Sequence, residues 1–170
     1  ARGPDTFDWA IENDLNIMST PLQKPFEEVL DLAGKLQASL EKYPGKARPK
    51  WLVLRNSCVY DRSEQWRMPV AAAKQYSSRF QGLFTTDGEV INGFPKEIDF
   101  GDLTRASDYT DEHVWKNMMF GTSGEIVEKL KMYEEAGVDL FCYGADFGLD
   151  GKDARRSLEL FITEVMPHFQ

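Results

Sequence analysis

The sequence predicts an α/β fold in which parallel strands alternate with helices. Three observations lead there. Strand-like apolar runs lie at Leu15 to Ser19, Trp51 to Tyr60 and Val138 to Gly144. Segments of helical periodicity separate all three, which requires crossover connections and a parallel sheet. The run from Trp51 also carries aliphatic residues on both faces early on, as in a strand covered on both sides.

Each element has a local reason. Gly3-Pro4 reads as a cap with proline at the first helical position, where a missing N–H costs nothing. Phe7, Trp9, Ala10 and Ile11 follow as the first helix. The next helix starts near Pro25, repeats Phe26, Val29, Leu30, Ala33, Leu36 and Leu40, and stops at Pro44-Gly45. A third helix is expected from Pro69 to Phe80. Residues 81–111 are rich in Gly, Asp and Thr and weakly periodic, the composition of a lid-like insertion or a plain surface loop. "DEHVWKNMM" reads as a short helix. Thr122 and Glu125 have capping-box spacing, Ile126, Val127, Leu130 and Tyr133 form an apolar stripe, and Gly137 ends that helix. The last helix is expected to bury Ala154, Leu158, Phe161, Ile162, Val165 and Phe169. Three strands leave two long apolar edges uncovered, and a strand is expected before Pro4. The sheet therefore reads as incomplete.

Composition narrows the function classes. The 170 residues are 42% hydrophobic and 28% charged, as in a globular domain. A net charge of −8 argues against a phosphate-backbone binder, so no nucleic-acid partner is expected. No apolar run reaches the roughly 18 residues that span a bilayer, so no membrane partner is expected either. Cys58 and Cys142 each sit inside a strand-like run and read as buried thiols, which suits a reducing, cytoplasmic setting. His113 and His168 lie far apart without a cysteine cluster, so no metal site is expected. The GxSxG, P-loop, HExxH and GxGxxG patterns are absent.

What remains is anion binding at a helix start, where first-turn N–H groups and the helix dipole favour a negative ligand. "ARGPDT" offers Arg2 as a fixed charge, Gly3 for close backbone approach and Thr6 for a first-turn hydroxyl. Asp5 and Asp8 weigh for an ordinary capped helix instead. "GTSGE" has a plainer reading, since Thr122 and Glu125 satisfy that helix start themselves. "NIMSTP" ends a strand with the hydroxyls of Ser19 and Thr20, either lining a ligand site or simply turning the chain. Trp9, Trp51, Trp66 and Trp115 read as core or interface residues, and His113 as solvated or structural.

Three stretches together resemble the bacterial luciferase-like monooxygenases, flavin-dependent enzymes on a (β/α)8 barrel. "ARGPDTFDWAIENDLNIMSTP" is similar to the family's segment from the end of strand five to strand six. "MFGTSGEIVEKLKMYEEAGVDLFCYG" is similar to its helix seven and strand eight, and "SLELFITEVMPHF" to its closing helix. The resemblance implies one domain over 1–170, the C-terminal half of the barrel with strands six to eight, and a lid at 81–111. It implies reduced FMN, delivered by a flavin reductase, reacting with oxygen to oxidise a small, apolar organic substrate. Arg2, Gly3 and Thr6 would hold the flavin phosphate, and Met18, Ser19 and Thr20 would border the ring. The missing N-terminal half of the barrel, or a second copy of this chain, would complete the structure. The family's catalytic residues lie mostly in the first half, so none is assigned here. A deazaflavin-dependent oxidoreductase and a flavin-binding half-barrel without turnover are the alternatives.

Overall fold

The alternation of helix and strand is realised as a parallel sheet beneath a layer of helices. The computed structural model describes residues 1–81, 89–95, 101 and 109–169. Helix α1 (Pro4–Glu12) leads to β1 (Ile17–Ser19), α2 (Phe26–Lys42) and β2 (Trp51–Val59). A 3₁₀ turn at Ser63–Trp66 feeds α3 (Arg67–Gln81), followed by a hairpin of β3 (Val90–Ile91) and β4 (Phe94–Pro95). Next come α4 (Asp111–Asn117), β5 (Met119–Gly121), α5 (Ser123–Glu135) and β6 (Leu140–Gly144). The chain continues through α6 (Gly151–Leu160), a π-helical turn (Phe161–Val165) and a 3₁₀ turn (Met166–Phe169).

Strand β2 is the centre of the sheet. β1 runs parallel to it with Ile17 opposite Trp51, and β6 runs parallel from Leu140 opposite Leu52 to Gly144 opposite Asn56. The two registers overlap at Leu52 and Val53, so β1 and β6 lie on opposite edges of β2. β5 pairs farther along, from Met119 opposite Ser57 to Gly121 opposite Val59. Among the described residues the sheet does not close on itself.

Strand alternation gives β2 two different faces. Trp51 and Val53 are buried with Phe7 and Ile11 of α1, Val29 and Leu32 of α2, and Ile126 and Leu130 of α5. This is the outer, helix-covered face. Leu52, Leu54 and Asn56 on the inner face are only half-buried. The expectation of a strand covered on both sides therefore holds for one face. Near the C-terminal end the inner face closes again: Cys58, Tyr60 and Phe120 are buried with Val70 and Ala73 of α3, Val114 of α4, and Phe147.

The local signals held where they were strongest. Gly3 caps α1 with Pro4 at its start, the Thr122–Glu125 box forms, and Gly137 takes a left-handed φ of 86°. Helix α3 begins before Pro69, because a proline in the first turn removes no intrahelical bond. β5 arises where the sequence shows only a short helix running into a cap, since three residues carry too little periodicity to read. Of the insertion, 90–95 forms a tight hairpin with Asn92 and Gly93 at positive φ. The rest of the expected lid lies outside the described residues, apart from 81, 89, 101 and the segment from 109.

The last helix departs from expectation. Its buried row is Ser157, Leu160 and Val165. Leu158, Ile162 and Phe169 stay exposed, Ile162 by 57%. The cause is a polar anchor. The Ser157 hydroxyl accepts from the Val59 N–H (2.7 Å) and shares a hydrogen bond with the Tyr143 hydroxyl (2.5 Å). That contact rotates the neighbouring apolar row away from the sheet.

Candidate ligand site at the start of the first helix and the inner sheet face

The residues expected to bind a ligand fall into two places. The first is the N-terminus of α1. Gly3 has extended backbone (φ −82°, ψ 148°) and no side chain caps the helix. A Cβ added at Gly3 would meet nothing within 4 Å. The start is therefore open, as a helix terminus must be to accept an anion. The Thr6 N–H is already bonded to the Gly3 carbonyl at 3.1 Å, and Pro4 has none. The Asp5 N–H, the exposed Thr6 hydroxyl and the Arg2 guanidinium remain.

Arg2 donates through Nη2 to Glu28 Oε1 at 2.8 Å. This uses one nitrogen of the fork and leaves the side chain half exposed. Asp8 is drawn away from the helix start, accepting from Lys42 Nζ (2.5 Å) and Ser39 Oγ (2.7 Å) of α2. The Lys42 bond first, and then Ser39, hold its carboxyl below the usual range. One of the two acids that weighed against an anion is thus turned aside. The Ala1 amino group donates to the Met18 carbonyl, which ties the chain two residues before the cap to β1.

The second place is the end of β1, where alternation splits the three expected residues. Met18 stands on the inner face opposite Leu52, 47% exposed. The register, continued by one residue, sets Thr20 beside Leu54. Ser19 faces the helical layer, fully buried, and accepts from the Trp51 indole N–H at 3.1 Å. The fold brings Arg2, Gly3 and Thr6 together, and Met18 and Thr20 together. Ser19 fastens β1 to β2.

Sequence reasoning missed Asn56, Gly144, Arg55 and Lys129. Asn56 and Gly144 are neighbours on the inner face. Counting by twos from Trp51 could have found Asn56. The Arg55 guanidinium is buried on the outer side, donating to the Tyr133 hydroxyl (2.8 Å) and to the carbonyls of Leu22 (2.6 Å) and Lys24 (2.8 Å). Lys129 donates to the carbonyls of Met118 (3.1 Å) and Phe120 (2.9 Å). Burial pushes its pKa down to about 8. These two cations serve carbonyls of loops and β5, which no local pattern announces.

The other candidates are structural. Trp51 is buried, Trp9 is exposed, and Trp66 packs edge-on against Trp115. The His113 N–H bonds the capping Thr110 hydroxyl at 3.2 Å. Cys58 is a buried free thiol, and Cys142 is free and half-buried. Among the described residues no three metal-ligating side chains gather, and no helix is long and apolar enough to cross a membrane.

Comparison with known proteins places this geometry. No family model matches the chain. It is 30% identical over 169 residues to the oxygenase component of the flavin-dependent trigonelline monooxygenase of Acinetobacter baylyi. The match covers 99% of this chain and 47% of that protein. The crystal structure of monooxygenase RslO1 from Streptomyces bottropensis superposes with a TM-score of 0.68 at 14% identity, over 100% of this chain and 46% of that one. The chain thus spans about half the length of the relatives it matches, and its open parallel sheet has the fold of part of a monooxygenase. By sequence, the chain is similar to the oxygenase component of one flavin-dependent monooxygenase, over about half of that protein's length.

Proposed function

We propose that this chain supplies strands six to eight of a luciferase-like (β/α)8 barrel. The assembled protein would be the oxygenase component of an FMN-dependent monooxygenase acting on a small organic molecule. The observation that carries this reading is the alignment with a flavin-dependent oxygenase component along nearly the whole chain. The uncapped start of α1 supports it from the structure. When bound, FMN reduced by a separate reductase supplies the electrons that let dioxygen oxidise the substrate.

The chain's own residues have definable tasks. The Asp5 N–H, the Thr6 hydroxyl and Arg2 bind the phosphate, with Gly3 leaving room for it. Met18 and Thr20 border the ring, while Ser19 holds β1 in place through Trp51. Cys58, Phe120 and Phe147, fully buried under α3 and α4, keep water from the C-terminal end of β2. The exposed inner face and the row Leu158, Ile162 and Phe169 are surfaces for the rest of the barrel to cover. The same exposed face suits a second reading, in which two copies of this chain cover one another without turnover.

Flavin titration of the natural gene product, with native mass spectrometry, tests the reading. The expected result is a species about twice this chain's size that quenches FMN fluorescence on binding. Arg2→Ala should weaken FMN about tenfold, the scale of one charge-assisted hydrogen bond, and leave riboflavin unchanged. A protein that binds no flavin, and oxidises nothing with a reductase and oxygen present, ends it. A deazaflavin co-purifying in place of FMN would replace the cofactor and keep the barrel.

A further inference from the structure

Arg55 is 1% exposed, and among the described residues its Nη2 is the buried side-chain nitrogen that has no hydrogen-bond partner. β1 pairs with β2 as far as Val53, and β5 pairs with it from Ser57 on. Arg55 lies between these stretches. Its Nη1 serves the carbonyls of Leu22 and Lys24, and its Nε the Tyr133 hydroxyl. All three partners are neutral. A guanidinium taken out of water without a counter-charge is unfavourable, and an unused N–H adds to the cost.

The unused donors gather at one cavity. Between the start of α2, the junction of α4 with β5, and α5 lies a space of about 280 Å³ walled mainly by Phe26, Met118, Met119, Lys129, Met132 and Tyr133. Tyr133 is buried. Its oxygen accepts from Arg55 Nε, and its own hydrogen has no acceptor among the described residues. Burial keeps that hydroxyl protonated. Nη2 shares the Nε edge of the planar fork, so it lies on the Tyr133 side. Lys129 spends two of its three donors on the carbonyls of Met118 and Phe120. Three donors therefore remain, one each from Arg55, Tyr133 and Lys129. Among the described residues no carboxylate bonds either cation. Glu125 acts on Lys129 through space, but its carboxylate holds Thr122. Glu27 and Lys116 also line the cavity, but they are exposed and opposite in charge.

We propose that this cavity binds a small organic carboxylate, held by Arg55 Nη2, the Tyr133 hydroxyl and Lys129, with its apolar part against Phe26, Met119 and Met132. A carboxylate is acceptor-only and has lone pairs enough for three donors. It also supplies the negative charge that the two cations lack. The volume holds roughly nine heavy atoms, at the roughly 30 Å³ that a water molecule takes in the liquid. An inorganic anion would meet the donors and leave the apolar wall uncovered. The site lies on the helix-covered face, on the other side of the sheet from Met18, and stands whether or not the protein binds a flavin.

The test is calorimetric titration of the natural gene product at pH 7 with benzoate, which matches that size, and with benzyl alcohol, its neutral counterpart. Benzoate should bind more tightly by about tenfold or more. Lys129→Met should weaken benzoate about tenfold, the scale of one charge-assisted hydrogen bond, and leave benzyl alcohol unchanged. Tyr133→Phe keeps the ring and should weaken benzoate about fivefold. Met132→Trp fills the cavity from its exposed wall and should abolish binding with both cations in place. It serves if the other two variants melt earlier than the parent. A parent that binds no benzoate, or binds benzyl alcohol equally well, would overturn the proposal. So would folded variants that keep the parent's affinity. Chloride binding as tightly as benzoate would overturn it too, leaving an adventitious ion only.

Discussion

Helices α1 and α5 both begin after a glycine-containing stretch with a hydroxyl in reach, yet they are chemical opposites. At α5 the Glu125 carboxylate accepts from the Thr122 N–H (2.7 Å) and hydroxyl (2.9 Å). A Cβ on Gly121 would already crowd the Glu125 Cβ at 2.9 Å. The end is closed by its own sequence. At α1 no side chain caps the helix and a Cβ added at Gly3 would meet nothing; of its two acids, Asp8 is held by α2 and Asp5 stays in the first turn. A helix start binds an anion only when its own side chains have left the donors free. Here one start was spent on stability and the other left available.

Transplanting the closed end onto the open one should produce the largest effect. Gly3→Thr with Thr6→Glu rebuilds the capping box at α1. Stability should rise by about 1 kcal/mol. FMN affinity should fall by roughly thirtyfold, as donors are occupied and a carboxylate faces the phosphate. Paired urea melts and flavin titrations check both halves, and a variant that gains stability without losing FMN would break the comparison.

Opening the closed end should do less. Glu125→Ala is expected to cost about 1 kcal/mol and to leave FMN affinity untouched, because the first turn of α5 lies away from the ligand site. Lys129 secures the same helix to β5, and its pH dependence is a separate check. Its pKa is about 8 in the folded chain and near the ordinary lysine value when unfolded. Between these values the unfolded state binds more protons, so stability rises with pH, by about 1 kcal/mol from pH 8 to 9. Lys129→Met should abolish that rise in urea melts across this range.

The smallest effect concerns Asp8. Its lowered pKa means that it contributes stability above the ordinary aspartate value and loses it as the pH falls below that. Asp8→Asn should therefore melt slightly earlier than the parent at pH 7, and the difference should shrink as the pH falls below the ordinary aspartate value. Thermal melts across an acid pH series would show this. FMN affinity should not rise, since Asp8 is already turned from the helix start.

The legibility of these features follows the range of the forces behind them. Gly3, Pro4, Thr122, Glu125 and Gly137 act within a single turn of backbone, so the sequence shows them directly. The parallel sheet was legible because helices between strands leave few other topologies. β5 was not, since it exists through its pairing with Ser57 to Val59. The buried row of the last helix was misread because Ser157, a polar residue, makes the decisive contact with β2. The candidate residues Arg2, Gly3, Thr6, Met18, Ser19 and Thr20 could be named from the residues together with the family resemblance. That Ser19 turns toward the helices could not, because only its contact with Trp51 sets it apart from its neighbours.

The sequence by itself determined most helix ends and the alternation of helices with parallel strands, both consequences of short-range sterics and of apolar periodicity. The tertiary structure alone decided which hydroxyl faces the helices, where Asp8 goes, and why position 144 takes only glycine. Those outcomes depend on contacts between distant segments, such as Asp8 with Lys42, Ser19 with Trp51, and Gly144 with the Arg55 backbone. Strand register and close packing set them, and neither is written in any local stretch of residues.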